Sequence, residues 1–202
     1  MNTIKNHIEN EIVIERSRFI CHLKRVDSIE EATDFIEQIK KDHWKASHNC
    51  YAMVIGRNAR SSDDGEPSGT AGVPILSSLQ KNELSNVIAI VTRYFGGIKL
   101  GAGGLIRAYS SATSEAIKKA TIIESVEVNE VKVTVNYSLA NILESKITEI
   151  CPNIEYTDKV VFTYHIEPGN LNTFEESVTE LTNNNYQLEH IKTLRIDRKK
   201  DT

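Results

Sequence analysis

Hydrophobic positions in the first part of the chain fall into strand-like runs separated by a stretch with helical spacing. Residues 12–26 are typical of one or two strands, and a Ser-x-x-Glu capping box opens a predicted helix over residues 28–41. Residues 50–55 form a short apolar run that indicates a strand. Residues 57–72 are polar and show no periodicity, which predicts a long loop.

The middle of the chain repeats this order of strand, loop and helix. Pro74 suits the first turn of a helix that reaches about residue 84. Residues 87–92 are continuous and β-branched, as expected of a strand buried on both faces. A second glycine-rich loop follows, and residues 102–120 carry the apolar spacing of an amphipathic helix.

Beyond residue 124 the pattern predicts a second domain, so we expect residues 1–125 and 126–202 to fold separately. Its predicted elements are, in order, strand 126–137, helix 139–150, two strands within 154–166, helix 170–181 and strand 186–196. The order β-α-β-β-α-β is that of the ferredoxin-like split unit. The predicted class is therefore α+β.

Composition places the chain among globular proteins, with 40% hydrophobic and 26% charged residues over 202 positions. No apolar stretch approaches the length that spans a bilayer, and three widely spaced cysteines read as reduced thiols, so we expect a cytoplasmic protein. Residues 1–125 hold 16 Lys and Arg against 15 Asp and Glu, whereas residues 126–202 hold 8 against 13. The first domain is therefore the better candidate for binding anions through a local patch.

The first glycine-rich loop, residues 62–72, concentrates polar side chains. Its candidate functional residues are Asp63, Asp64, Glu66, Ser68 and Thr70. The spacing does not fit an EF-hand, but a looser Mg²⁺ site built from the three carboxylates is an open alternative. The other interpretation, which the short motif favours, is a structural turn in which Asp side chains cap backbone amides.

The second glycine-rich loop, residues 93–104, leaves a buried strand and enters a helix, which suits an anion site. It is not a Walker loop, because no Gly-Lys-Ser/Thr follows. Aromatic residues here offer stacking faces or core lids, and Tyr94 is a better candidate for exposure than Phe95. The candidate phosphate or nucleic-acid contacts are Arg93, Tyr94, Gly96, Gly97, Lys99, Gly101, Gly103, Gly104 and Arg107, with Tyr109 as a further stacking candidate.

His48 and Asn49 precede the strand at residues 50–55 and would meet both loops if the strands pair as neighbours. His48 would then act as a base or as a donor to phosphate. The alternative is a hydrogen-bonded structural histidine. Cys50, inside the apolar run, indicates packing rather than a nucleophile.

Four blocks of this sequence resemble the signature of the YigZ/IMPACT family. They are SRFI at residues 17–20, HNCYA at 48–52, DDGEPSGTAG at 63–72 and RYFGGIKLGAGGLIRAY at 93–109. The match is long, ordered and specific, and it extends over nearly the whole chain because bacterial members add a ferredoxin-like domain.

The resemblance implies a first domain similar to the fourth domain of elongation factor G, with a ribosomal-protein-like fold, and a second domain similar to that factor's fifth. Both of these elongation-factor domains function in contact with RNA on the ribosome. Eukaryotic family members are implicated in translational control. One departure is Val73, where many relatives have Arg between Gly72 and Pro74. If that Arg contacts phosphate, this chain would bind phosphate less strongly.

These expectations favour a protein that binds structured RNA or the ribosome in translation regulation. We expect no cofactor, no resident metal and no membrane contact, and the balance is against an enzyme. One alternative is an Mg²⁺-dependent enzyme acting on a phosphorylated small molecule, with His48 as proton carrier. The other is a protein-interaction module whose aromatic loop docks an unknown protein partner.

Overall fold

The computed structural model describes residues 1–199, so residues 200–202 of the predicted second domain lie outside the described part. The chain divides into two compact units, residues 1–124 and residues 125–198. Helices and strands alternate in a mixed α/β arrangement with two sheets. Across residues 1–199, no helix is both long and apolar enough to cross a membrane.

The first unit is built on a five-stranded antiparallel sheet. Its elements are β1 (Asn2–Ile4), β2 (Ile8–Ile14), β3 (Ser17–Arg25), α1 (Ile29–Asp42), β4 (His48–Ile55), β5 (Asn58–Ser62), α2 (Gly72–Lys81), β6 (Val87–Tyr94) and α3 (Gly101–Lys119). The strand order is β2-β3-β6-β4-β5. The strands that precede the two glycine-rich loops, β5 and β6, therefore both pair with β4.

The central strand β6 is buried on both faces, as the sequence predicted, because successive residues of a strand point to opposite sides. Val87, Ala89 and Val91 pack into the core that includes residues of α2 and α3. Ile88 and Ile90 pack into a separate cluster with α1. Burying such a Val or Ile side chain contributes about 1.5–3 kcal/mol, so this strand anchors both layers.

The second unit begins within β7 (Ile122–Val135). It continues through α4 (Tyr137–Lys146), β8 (Ile150–Tyr156), β9 (Val160–Ile166), α5 (Leu171–Thr182) and β10 (Gln187–Lys199). β9 lies between β7 and β8, and β10 pairs with β7. Alternate residues of β7 and β9, including Val133 and Phe162, form its core with α4 and α5. The observed element order matches the predicted β-α-β-β-α-β pattern.

Two short strands correct the sequence prediction. Residues 57–72 are not all loop, because β5 pairs with β4 in a hairpin, with Arg60 opposite Met53. Its sequence, NARSS, has no apolar alternation because the strand lies at the exposed edge of the sheet. β1 was also not predicted, although Ile4 is fully buried.

Candidate functional site

Asp63 organises the first glycine-rich loop directly after β5. Its carboxylate accepts hydrogen bonds from the backbone N–H groups of Gly69 at 2.8 Å, Ala71 at 3.0 Å and Gly72 at 2.8 Å. Burial alone would raise the pKa of Asp63, but these three donors together hold it below its usual value. Ala71 caps α2 without a side-chain bond of its own. Asp63 therefore serves as the side-chain cap of α2.

Asp64 fastens the same loop to its neighbours. Its carboxylate accepts from the backbone N–H of Asn49 at 2.7 Å and from Lys40 Nζ of α1, also at 2.7 Å. Its carbonyl oxygen lies 2.9 Å from His48 Nδ1, so this imidazole nitrogen carries the proton and donates. These bonds hold the loop against the beginning of β4.

Glu66 joins the two glycine-rich loops. Its Oε1 atom accepts from Arg93 Nη1 at 2.6 Å and from the hydroxyl of Tyr109 at 2.8 Å. Its Oε2 atom lies 3.8 Å from His48 Nε2. The Glu66 and Arg93 side chains are 3% and 7% exposed. The two glycine-rich loops are adjacent, as expected if their strands are neighbours. The buried Glu66–Arg93 ion pair forms the contact between them.

Arg93 lies inside the first unit rather than on its surface. Its guanidinium carbon is 5.5 Å from the centre of the Phe19 ring and 5.4 Å from that of Phe95. With Glu66 as its ion-pair partner, Arg93 holds the loops together in this conformation. The sequence interpretation grouped it with the exposed phosphate contacts.

The aromatic side chains of this region differ from the expected order of exposure. Phe95 is 49% exposed, whereas Tyr94 is half-buried and its hydroxyl lies 3.0 Å from His43 Nδ1. Tyr109, proposed as a stacking face, is fully buried. The reversal follows from the strand direction, because Tyr94 still points towards the α1 layer and Phe95 follows the last residue of β6.

The glycines of the second loop serve two different purposes. A Cβ on Gly96 would overlap the carbonyl group of Arg16, and one on Gly104 would lie 2.9 Å from the Leu100 Cβ, so both positions need glycine for packing. The other three predicted glycines are exposed: Gly97, Gly101 and Gly103. Gly101 has a φ of +69° with open space around it, which lets the chain turn into α3.

The beginning of α3 lines an open groove that carries two cations and one carboxylate. Its first turn contains no acidic residue and its N-cap, Leu100, makes no side-chain cap bond. Lys99 and Arg107 are exposed and line the groove, which has a volume of about 420 Å³, together with Ile98 and the exposed carboxylate of Glu15. Gly103 leaves room for the Arg107 guanidinium, whose Nη1 atom would be 3.6 Å from a Cβ at that position. Within residues 1–199, neither cation forms an ion pair.

The comparisons with known proteins decide the family. The family model of the Impact N-terminal domain matches residues 15–117. The IMPACT family member YvyE of Bacillus subtilis is 48% identical over 187 residues, which cover 90% of this chain and 86% of that protein. This chain belongs to the IMPACT family. The resemblance seen in the sequence blocks is therefore confirmed.

Two further comparisons extend this result. YigZ of Escherichia coli, also an IMPACT family member, is 35% identical over 154 residues, which cover 74% of this chain and 76% of that protein. A crystal structure described as a hypothetical protein covers 95% of this chain and 97% of its own, with a TM-score of 0.64 and 29% identity. A solved structure of similar fold thus covers nearly the whole of this IMPACT-family chain.

The remaining signature residues of this IMPACT-family chain support the loops. The buried side chain of Asn49 accepts from Thr92 Oγ1 at 2.7 Å, and Thr70 Oγ1 donates to the Pro67 carbonyl at 2.6 Å. Ser68 is exposed. Cys50 is buried and donates to the Asp63 carbonyl at 2.9 Å, and burial raises the pKa of its thiol to about 12. A neutral, buried thiol fits packing rather than nucleophilic chemistry.

The carboxylates considered for Mg²⁺ are engaged within the protein. Asp63 binds backbone amides, Asp64 binds Asn49 and Lys40, and Glu66 binds Arg93 and Tyr109. In the part of the chain that the structure describes, no group of three or more His, Cys, Asp or Glu side chains is placed to hold a metal ion. The observed bonds correspond to the structural-turn interpretation of this loop.

Sequence reasoning missed two contributors to this region. Lys40 anchors Asp64 from α1, and Trp44 lies in the α1–β4 connection with 74% of its surface exposed. Lys40 lies outside the signature blocks, so only the tertiary structure reveals its contact. Trp44 was detectable in principle, because a tryptophan in a polar connection between predicted elements is uncommon on a protein surface.

Proposed function

We propose that this protein binds structured RNA or the ribosome in the cytoplasm and acts in the regulation of translation. The observation that carries the proposal is the groove at the beginning of α3, where Lys99 and Arg107 are exposed beside an uncapped helix terminus. Both side chains reach outward from a rigid helix and its entry loop.

Phosphate suits this groove on physical grounds. The first N–H groups of a helix have no intrahelical partners and carry a partial positive charge. Exposed Gly101 and Gly103 let a ligand oxygen approach these N–H groups closely. Lys99 and Arg107 add two full charges in a part of the chain that is otherwise nearly neutral. The local patch therefore supplies the positive charge for phosphate binding that the net charge of −4 does not provide.

The first loop contributes to the proposed binding surface through its fixed shape. Glu66 and Arg93 keep this loop beside the second one, and Asp63 and Asp64 fix its backbone. The His48 imidazole is held by its Nδ1 bond to the Asp64 carbonyl, and its Nε2 atom faces Glu66 Oε2 at 3.8 Å. Val73 is exposed at the second position of α2, so this chain lacks a cation there.

The domain assignments that we infer agree with an RNA-binding role. The first unit is proposed to be similar to the ribosomal-protein-like fourth domain of elongation factor G. The second is proposed to be ferredoxin-like and similar to that factor's fifth domain, which its element order supports. Membership of the IMPACT family supports the translational context, because eukaryotic members are implicated in translational control.

Co-sedimentation with ribosomes, together with fluorescence anisotropy of labelled structured RNA, tests this proposal. The double variant Lys99→Ala, Arg107→Ala is expected to bind markedly more weakly in both assays. The matched control Arg57→Ala, Lys81→Ala removes the same two residue types from exposed positions in the β4–β5 turn and at the end of α2. The control should bind like the native protein. Equal binding by all three proteins, or by none, would contradict the proposal.

A further inference from the structure

Two aromatic side chains of the first unit are exposed. Trp44 is 74% exposed and Phe95 is 49% exposed. The other aromatic side chains of this unit are buried or half-buried: Phe19, Phe35, Tyr51, Tyr94 and Tyr109. Leaving a large aromatic surface in water forgoes the free energy of its burial, so each of these rings offers a face that a ligand can cover.

Hydrogen bonds of Ser47 connect the α1–β4 turn, which contains Trp44, to the end of β6, which precedes Phe95. The Ser47 N–H donates to the Arg93 carbonyl at 2.8 Å, and its Oγ accepts from the Phe95 N–H at 3.1 Å. Trp44 lies three residues before Ser47 in the turn between α1 and β4. His43 and Tyr94 add a third bond between the same segments. Trp44 and Phe95 therefore emerge at the same end of the sheet.

An exposed cation accompanies the Trp44 ring, because Lys45 Nζ lies 4.9 Å from the ring centre. The Arg93 guanidinium carbon lies 5.4 Å from the centre of the Phe95 ring, but its charge is already paired with buried Glu66. Lys41, in the last turn of α1, adds another exposed positive charge close to this turn in the chain. An aromatic face beside an ammonium group matches the two parts of a nucleotide, because the base stacks and the phosphate pairs with the cation.

We propose that Trp44 and Phe95 form a stacking subsite for unpaired nucleotides of RNA. This inference rests on the proposed function and adds the form of RNA that is recognised. Bases within an A-form duplex are already stacked on each other, and side chains cannot read its narrow major groove. Exposed rings therefore select loops, bulges or single strands, while Lys99 and Arg107 contact the phosphates.

The single tryptophan of the chain makes the subsite directly observable. Trp44 is the only tryptophan among 202 residues, so the intrinsic tryptophan emission comes from this position alone. Titration with a single-stranded oligoadenylate of about twelve nucleotides should quench that emission to saturation. The midpoint should match the one measured by anisotropy of the same labelled strand. A blunt RNA duplex of the same length should leave most of the emission unchanged.

Substitutions test whether the ring contributes to binding. Trp44→Ala should weaken single-strand affinity about fivefold or more, and Trp44→Phe should retain most of it because a stacking face remains. Phe95→Ala should act in the same direction. The control Tyr156→Ala removes a similarly exposed aromatic, 61% exposed, from the second unit and should bind like the native protein. Unchanged circular dichroism and melting of the variants show that folding is intact.

The outcomes separate this inference from the function on which it rests. RNA binding that depends on Lys99 and Arg107, without quenching of Trp44 and without an effect of Trp44→Ala, overturns the stacking subsite and leaves the proposed function standing. No RNA binding by the native protein removes both. Capture of a protein partner that needs Trp44, without RNA binding, identifies the rings as a protein-docking surface and also overturns the inference.

Discussion

Glu66 of the first loop and Arg93 of the second form a buried ion pair, with 2.6 Å between Oε1 and Nη1. The two residues are 27 positions apart, and they meet because β5 and β6 both pair with β4. The pair makes the two loops parts of one surface.

Replacement of Glu66 should show how much the fold depends on this pair. Glu66→Gln keeps an acceptor for Tyr109 but leaves the Arg93 charge buried without its counter-ion. We expect a loss of about 3–5 kcal/mol in the free energy of unfolding. Chemical denaturation measures it. The control Glu115→Gln breaks the exposed Glu115–Lys118 pair and should cost less than about 1 kcal/mol. Similar losses for both variants would show that the buried pair has no special role.

Gly96 should tolerate no side chain. In Gly96→Ala the new Cβ would overlap the Arg16 carbonyl, so the β2–β3 turn and the second loop must separate, and the melting temperature should fall. Gly103→Ala is the matched change within α3, where the Cβ meets only Arg107 Nη1 at 3.6 Å. That variant should be as stable as the native protein or gain up to about 1 kcal/mol from helix propensity. A stable Gly96→Ala protein would contradict the close approach.

Asp63 should stabilise the first loop in a pH-dependent way. Its pKa in the folded protein lies below the unfolded value of 3.8, so its stabilisation is present above that pH and is lost as pH falls through the folded value. Asp63→Asn should cost about 1–2 kcal/mol near neutral pH, because the ionised acceptor of three N–H groups is lost. Denaturation at a series of pH values should show this difference shrinking below pH 3.8. A difference independent of pH would argue against an ionised Asp63.

Cys50 should resist thiol reagents in the folded protein. Burial raises its pKa to about 12, and its Sγ donates to the Asp63 carbonyl. Labelling with an alkylating reagent followed by peptide mass analysis should find Cys50 modified only under denaturing conditions. Half-buried Cys151 should react sooner and serves as the internal reference. Rapid modification of Cys50 in the folded protein would contradict its assignment as a buried packing residue.

The sequence was sufficient to predict those helices and strands whose hydrophobic pattern is local. β6 and α3 were predicted close to their observed bounds, because a continuous β-branched run and a helical apolar stripe each indicate one structure. β5 was not predicted as a strand, because the polarity of an exposed edge strand resembles that of a loop.

The site depends on contacts that no local pattern reveals. Both loops and their polar residues were found from the sequence. The pairing of Arg93 with Glu66 and the burial of Tyr109 were not, because they depend on which strands become neighbours. The reversed exposure of Tyr94 and Phe95 depends on where β6 ends, which is the least certain feature of a predicted strand.

The salt dependence of RNA binding shows whether the groove at the beginning of α3 contacts phosphate groups. Anisotropy titrations from about 50 to 200 mM salt give the slope of log K against log salt concentration, which reports the number of phosphates neutralised. We expect a slope shallower by about 1.4–1.8 for Lys99→Ala, Arg107→Ala than for the native protein, at about 0.7–0.9 per cation. Arg57→Ala, Lys81→Ala should keep the native slope. Identical slopes for native protein and both variants would show that the groove at the beginning of α3 does not contact the RNA backbone.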